Sequence, residues 1–428
     1  MRSVKVGIVG CGTVGSGVVK LILENHNHII SQTGVDIKLI KVADRDWQRE
    51  RPFKVPMELR TEDYREVLES CDIVVELVGG IDFAKNLIES ALRAKKHVVT
   101  ANKHLLATYG EELLSLAEQM GVLIAFEASV GGGIPVIKVL KEALSANQIK
   151  SVHGILNGTT NYILGCMEGG QDFSSCLKKA QELGYAEKDP TLDIEGIDSA
   201  HKIAILAMLA FGKLFKTSEI LVEGISKLKP LDLSLGAELG YRLKLLGIAK
   251  KDSDSVQLRV HPAFLPNSEP LSKVDGVFNA IKIEGDFVGE ITLQGQGAGS
   301  LPTASAVVSD IIDIALNSSR SQRPKTTNLN LEKDFTSRYY LRLQVVDKPG
   351  VLASVAGVLA RHQISIASVL QKEKVCKIAN SENKALVPLV ILTHNARESQ
   401  MQRAIEEIRL LKISDENPAI LRIEEDIR

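Results

Sequence analysis

The chain reads as an α/β protein in three parts: a doubly wound parallel-sheet unit, an α+β unit with a mostly antiparallel sheet, and a smaller C-terminal unit. Three observations carry that reading. Short apolar strands alternate with amphipathic helices over residues 1–134, a G-x-G-x-x-G stands at the first strand-to-helix junction, and beyond residue 149 the pattern changes to β-branched runs bounded by Gly and Pro.

The first strand, VKVGIVG, is a short continuous apolar run, as expected for a strand buried on both faces of a parallel sheet. Gly10, Gly12 and Gly15 follow within GCGTVG. The first glycine permits the tight turn, the second lets a pyrophosphate approach the backbone, and the third allows close helix packing, with the phosphates on the helix N-terminus. In this setting the pattern is that of a Rossmann dinucleotide-binding unit. The next strand, DIKLIKVAD, ends at Asp44, where an acid is expected on the adenosine ribose hydroxyls. Arg45 follows at once, so a carboxylate that repels a 2′-phosphate adjoins a guanidinium that attracts one. NAD and NADP both stay open, with a slight lean to NAD; both residues also read as solvated loop charges.

Further strands are expected in DIVVELVG (72–79), HVVTANK (97–103) and VLIAFEASV (122–130), with helices such as FAKNLIESALRAKK and EELLSLAEQM between them. Ligands in such sheets bind beyond the carboxyl ends of the strands. Lys103 sits at one such end, either as a helix-start surface residue or as a cation beside a substrate oxygen. In EASVGGGIP, Glu127 precedes three glycines that free the backbone, which suits a hinge or a small cation site.

From residue 149 the chain gives a strand and turn (SVHGILNG), two helices (TTNYILGCM, and DFSSCLKKAQELG closed by Gly184), and then GYAEKDPTLDIEGIDSAHK. That stretch places Glu187, Asp189, Asp193, Glu195 and Asp198 on the approach to an apolar helix, with Lys202 one turn beyond Asp198. Residues four apart share a helix face, so Asp198 and Lys202 can meet, and a lysine pressed on Ile203, Ile205 and Leu206 is partly desolvated and able to pass a proton. A first-turn acid with an exposed salt-bridge partner fits the same pattern. Strands VQLRVHPAFLP, VFNAIKIEG and GEITLQGQGAG suit an antiparallel sheet, and LPTASAVVSDIIDIAL is an amphipathic helix returning to the first unit. The expected boundaries are 1–134, completed by 300–318; 135–299, a substrate and dimerisation unit; a polar, proline-bearing linker over 319–337; and 338–428.

A chain of 428 residues with 44% hydrophobic and 25% charged residues is globular with a large core. A net charge of −1 advertises neither a nucleic-acid partner nor an anionic membrane. The five cysteines, Cys11, Cys71, Cys166, Cys176 and Cys376, are scattered with no Cys-x-x-Cys pair, which argues against a disulfide framework or structural zinc. With no secretory leader and no apolar run long enough to span a bilayer, the expected location is cytoplasmic.

In order, GCGTVG, TANKHLL, EASVGGGIP, LNGTTNYIL, GYAEKDPTLDIEGIDSAHK and QGQGAG resemble the homoserine dehydrogenase family, and DKPGVLASVAGVLARHQISIASVLQ resembles an ACT domain, the ferredoxin-like amino-acid sensor of the long bacterial form. The resemblance implies interconversion of L-homoserine and L-aspartate 4-semialdehyde with NAD or NADP, on the way to threonine and methionine. It implies that Lys202 is the catalytic proton donor, with Lys103 its partner at the reacting oxygen. Glu187 and Asp198 would hold the substrate, with Gly184 nearby and Asp193 as a secondary candidate. Gly10, Thr13, Val14 and Gly299 match cofactor-contacting positions, and Glu127 with the carbonyls of Val130, Gly132 and Ile134 matches a monovalent cation (Na+ or K+) site. It further implies a homodimer or homotetramer, and threonine as an effector near the turn at 347–350. The alternative is an amino-acid sensor whose dehydrogenase part is degenerate, against which the intact Lys103, Glu187, Asp198 and Lys202 set speaks.

Overall fold

Strands Arg2–Val9 (β1), Val35–Ala43 (β2), Arg60–Thr61 (β3), Ile73–Glu76 (β4), His97–Thr100 (β5) and Ile124–Ala125 (β6) form one parallel sheet in the order β3-β2-β1-β4-β5-β6. The computed structural model describes residues 2–317, 328–371, 378–379, 385–414 and 416–425. Residues 318–327, which include the first part of the expected linker (319–327), and Cys376 lie outside them. The sheet is parallel because its strands are apolar on both faces: Val6, Ile8, Ile73 and Val75 face one cluster, while Val9, Val74 and Val98 face another. The helix Asp82–Arg93 buries Ala84, Leu87, Ile88, Ala91 and Leu92, the spacing of a single apolar stripe. Ser300–Asn317 packs on the helix Thr13–Glu24 through Ala304, Val307 and Ile311.

The strand expected over 122–130 pairs only at Ile124–Ala125. At Phe126 the chain leaves the sheet for a single turn, Glu127–Ser129, because the Glu127 N–H donates to the Asp310 carboxylate at 2.8 Å on the helix Ser300–Asn317.

A second, 13-stranded sheet holds Ile149–Ile155 (β7), Leu221–Val222 (β8), Tyr241–Asp252 (β9), Ser255–Pro266 (β10), Phe278–Gly285 (β11), Gly289–Gln296 (β12), Asn330–Leu331 (β13), Thr336–Val346 (β14), Ile366–Gln371 (β15), Ile378–Ala379 (β16), Ala385–Thr393 (β17), Ala396–Arg397 (β18) and Ala419–Ile423 (β19). Its main path runs β12-β11-β7-β9-β10-β19-β14-β17-β15. The C-terminal unit, two helices (Val351–Arg361 and Glu398–Leu410) on the sheet of β14, β15, β17 and β19, is therefore continuous with the central sheet. The join is short. β19 pairs with β10 only at Ala263↔Arg422 and Phe264↔Ile423.

The same outer edge of β10 is tiled by two further parallel pieces, β13 at Ser255 and Val256 and β8 at Arg259 and Val260. Residues 330–331, expected in a linker, are thus a strand, and Phe335 beyond them is buried with the Arg259 guanidinium 4.1 Å from its ring. A polar stretch with two apolar anchors has no period to betray this pairing.

The central and C-terminal units also share a buried ion pair. Asp232, on the helix Pro230–Glu238, accepts from Arg342 Nε at 2.5 Å and Nη2 at 3.1 Å on β14, and from the Tyr340 hydroxyl at 3.2 Å. Removing one partner strands the other charge in the core. Asp232→Ala should destabilise the fold by about 3–5 kcal/mol, read as a lowered urea midpoint; an unchanged midpoint would show the pair to be dispensable.

Candidate active site

At the end of β1, Gly10 adopts φ +97°, and a Cβ there would lie 2.6 Å from the Leu77 backbone after β4. A Cβ at Gly15 would lie 2.2 Å from the Gly10 carbonyl oxygen, whereas one at Gly12 would meet nothing within 4 Å. Two of the three glycines are therefore fixed by packing, and the third leaves its side open to an incoming group. The turn is pinned to the end of β2: Asp44 Oδ2 accepts from Cys11 N–H at 2.7 Å, and Arg51 bridges the Cys11 carbonyl (2.7 Å) and Asp44 Oδ1 (3.4 Å). Beside the turn lies a cavity of about 520 Å³ lined by Gly10, Gly12, Asp44, Arg45, Tyr64 and Phe83 among others. Thr13 opens the helix, its carbonyl accepting from Ser300 Oγ at 2.5 Å, Val14 packs against the sheet cluster, and Gly299 (φ +125°) precedes Ser300. The open Gly12, the helix N-terminus and a carboxylate at the end of β2, Asp44, fit a dinucleotide.

The carboxyl ends of the neighbouring strands set Lys103. Buried Glu76 ends β4, accepting from Val78 N–H at 2.8 Å and from the Thr100 hydroxyl at 2.6 Å across to β5. Asn102 then caps the helix Lys103–Met120 by accepting from Leu105 N–H at 3.1 Å, while its amide donates to the Gly80 carbonyl at 2.6 Å. Lys103 begins that helix and forms an ion pair with Asp198 Oδ1.

Asp198 and Lys202 lie on the helix Ile197–Phe211, which is apolar almost all round and buried from residue 198 to 208. Lys202 Nζ donates to Asp198 Oδ2 at 2.7 Å and to the Leu156 carbonyl at 2.6 Å. The pair is no surface salt bridge: both residues are buried. Burial pushes the Lys202 ammonium below the usual lysine range, with Lys103 adding to the effect and Asp198 opposing it. Burial alone would raise Asp198, but the Lys202 and Lys103 charges overrule it and hold the carboxyl well below the carboxylate range.

Asn157, which the sequence shows only as part of a turn, joins Asp193 to Asp198. Its amide donates to Asp193 Oδ1 at 2.7 Å and to Asp198 Oδ2 at 2.9 Å, while its carbonyl caps the helix Gly158–Glu168 through Thr160 N–H at 2.9 Å. Asp193 is raised by burial and by Asp198 against the Asn157 hydrogen bond. Asn279 donates to the same Leu156 carbonyl at 2.9 Å, and a Cβ on Gly297 would come within 2.1 Å of its side chain, so the glycine of QGQGAG makes room for it. His104 and His201, neighbours of the two lysines, stack at 4.5 Å; burial, then His104, lowers His201 to about 4, leaving it neutral.

Other expected residues stand apart from this cluster. Gly184 (φ +74°) and Glu187 are exposed on the loop that leads to Thr191–Ile194, a loop tied down where Thr159 Oγ donates to the Tyr185 carbonyl at 2.5 Å. Glu127 is buried, and its two oxygens accept from the Ile137 and Lys138 N–H groups at 2.8 and 2.7 Å. Desolvation nonetheless pushes it up to about 7. Gly131 and Gly132 are left-handed, and the Ile134 carbonyl accepts from Val136 N–H at 2.8 Å. Among the described residues no three His, Cys, Asp or Glu side chains gather as metal ligands, and no described helix is long and apolar enough to cross a membrane.

Known proteins match this arrangement over the whole chain. Family models for the homoserine dehydrogenase NAD-binding domain, homoserine dehydrogenase itself and the ACT domain match residues 10–127, 135–312 and 339–409. The homoserine dehydrogenases of Neisseria gonorrhoeae and Bacillus subtilis are 43% and 38% identical, each comparison covering 99% of both chains. The crystal structure of the homoserine dehydrogenase from Thiobacillus denitrificans superposes with a TM-score of 0.92 at 39% identity over 99% of both chains. A hyperthermophilic archaeal homoserine dehydrogenase in complex with NADPH covers 73% of this chain and 98% of its own at 29% identity and a TM-score of 0.61. With its nucleotide-binding, catalytic and ACT segments all matched in order, the chain belongs to the homoserine dehydrogenase family of oxidoreductases.

Proposed function

We propose that Lys202 moves the proton in the interconversion of L-homoserine and L-aspartate 4-semialdehyde, with Lys103 beside the same oxygen and Glu187, Asp193 and Asp198 holding the substrate ammonium. The observation that carries this reading is the convergence of two ammonium groups on one buried carboxylate just beyond the carboxyl end of β5. NAD or NADP, held by Gly10, Gly12, Thr13, Val14, Gly15, Asp44, Arg45 and Gly299, supplies or accepts the hydride when bound. Reduction of the aldehyde places negative charge on its oxygen. An ammonium has three N–H donors, and Lys202 spends two on Leu156 and Asp198, which leaves one for that oxygen. Asp198 keeps both lysines in place and offsets their mutual repulsion. Gly184, with φ +74°, lets the chain turn into the exposed loop that carries Glu187.

Lys202→Ala should lower kcat by about 10²- to 10⁴-fold while NAD(P) binding, followed by fluorescence, changes little; joint loss of both would assign the residue to folding. The pH profile has a defined sign. Reduction needs Lys202 protonated and oxidation needs it neutral, so with its pKa lowered by burial the reduction rate should fall, and the oxidation rate rise, through an inflection below the usual lysine range. Parallel profiles in the two directions would remove Lys202 as the proton carrier.

Regulation, assembly and the cation belong to the same reading. Asp347 accepts from Gln371 at 3.0 Å, Gly350 (φ +93°) opens the helix Val351–Arg361, and Leu352 and Val369 are exposed nearby, which supports pairing of ACT domains into a homodimer or homotetramer with threonine near residues 347–350. The Val130, Gly132 and Ile134 carbonyls beside Glu127 would hold Na+ or K+. Initial rates with NAD and NADP, with and without threonine, and with choline replacing K+ or Na+, should show inhibition by threonine and slowing in choline, in a species heavier than one chain by light scattering; each unaffected readout removes its part.

A further inference from the structure

The turn that links Asp193 to Asp198 rests on a strap from elsewhere in the chain. Residues 222–225 run against it: the Ile225 N–H donates to the Ile194 carbonyl at 2.8 Å, and Ile225 is fully buried. No side chain fits at Gly224, where a Cβ would lie 2.4 Å from the Ile194 carbonyl oxygen and 2.5 Å from the Glu195 Cα. Gly196 (φ +80°) is packed by the same strap and by β10, with a Cβ there 3.2 Å from Val222 and 3.1 Å from Val260. A shift of the strap therefore moves the turn, and with it both carboxylates.

The strap is held by the C-terminal domain. Glu223, whose N–H donates to the Val260 carbonyl at 2.8 Å, takes a two-pronged ion pair from Arg422 on β19, at 2.7 Å to Nη1 and 2.8 Å to Nη2. Arg422 is buried and is itself fixed by Glu398, at 3.0 Å from Nε and 2.6 Å from Nη2, while Glu398 accepts from the Tyr339 hydroxyl at 2.9 Å. The guanidinium fork matches a carboxylate on each side, and such a match tolerates little displacement.

We infer that Glu223 and Arg422 are positioning residues through which the ACT domain sets the placement of Asp193 and Asp198. The contact runs from β19 to the substrate carboxylates through one ion pair, the strap at 222–225 and one turn. Any change that shifts β19 against β10, which are joined by only two residue pairs, reaches the amino-acid pocket without passing through the nucleotide cavity.

This inference rests on the proposed role of Asp193 in holding the substrate, and the test separates the two. Steady-state kinetics on the full chain would compare wild type, Asp193→Asn, Glu223→Gln, Arg422→Lys and the Glu223→Gln/Arg422→Lys double variant, with thermal unfolding of each. Glu223, with a partly exposed side chain, should tolerate the change. Its variant should raise KM for homoserine by about 3- to 30-fold while KM for NAD(P) and the unfolding temperature stay near wild type. Arg422→Lys should act in the same direction, and the double variant should be no worse than the stronger single one. If Asp193→Asn raises KM for homoserine and Glu223→Gln does not, the strap is ornamental and the inference falls. If Asp193→Asn leaves that KM unchanged, the substrate reading fails first. Proportional losses in both KM values together with a lowered unfolding temperature would mark Glu223 as merely structural and also overturn the inference.

Discussion

The site depends on a single buried carboxylate, Asp198, that faces two ammonium groups. Alone, a carboxylate at that depth would take up a proton, and Lys202, buried beside it, would lose one. Together they keep a charged triad where the buried helix Ile197–Phe211 meets the start of Lys103–Met120. The arrangement explains why the helix Ile197–Phe211 is buried almost from end to end while its first turns are polar. Asn157 completes it from outside the triad by giving both amide hydrogens to acids, which lets Asp193 and Asp198 stand close without a cation between them. Breaking the Asp198–Lys202 pair by removing one member costs more than the pair itself contributes, because the remaining charge stays buried.

Much of this was legible in the residues. The glycine pattern works through backbone geometry that only glycine provides, so its reading survives contact with the structure: Gly10 and Gly15 are packed against backbone and Gly12 is open. Asp198 and Lys202 were visible because helical spacing places them on one face. That the pair is buried was not visible from spacing, since an exposed pair has the same period. Asn157 and Asn279 were missed for a different reason. Their partners are 41 and 123 residues away; Asn157, beside a glycine, reads as a turn or a cap, which it also is, and Asn279 reads only as one position of an expected strand. The strand expected over 122–130 fails at Phe126 because a hydrogen bond from the Glu127 N–H to Asp310, more than 180 residues later, pulls the chain out of the sheet.

The division into three units also needs qualification in physical terms. The sequence changes character at the boundaries, but the central and C-terminal sheets join at β10 and β19, and the Asp232–Arg342 and Glu223–Arg422 pairs cross the same junction. Charges buried at a junction resist rigid-body displacement, because moving them apart without water uncovers each partner. The ACT domain is thus coupled to the catalytic core by contacts whose strength depends on alignment rather than on area.

The tiling of β10 has an outcome of its own. A twelve-residue strand at the rim of a sheet offers a long row of unpaired N–H and C=O groups, a template on which another chain can add. Here that rim is closed by three brief pieces drawn from distant parts of the sequence, each covering two residues and running parallel to the strand. Protection against fibre-like stacking is therefore distributed. Losing any one piece to proteolysis or truncation would bare only a short gap, but losing the C-terminal segment and the stretch leading into it together would uncover both ends of the strand at once and turn a shielded margin into a sticky one.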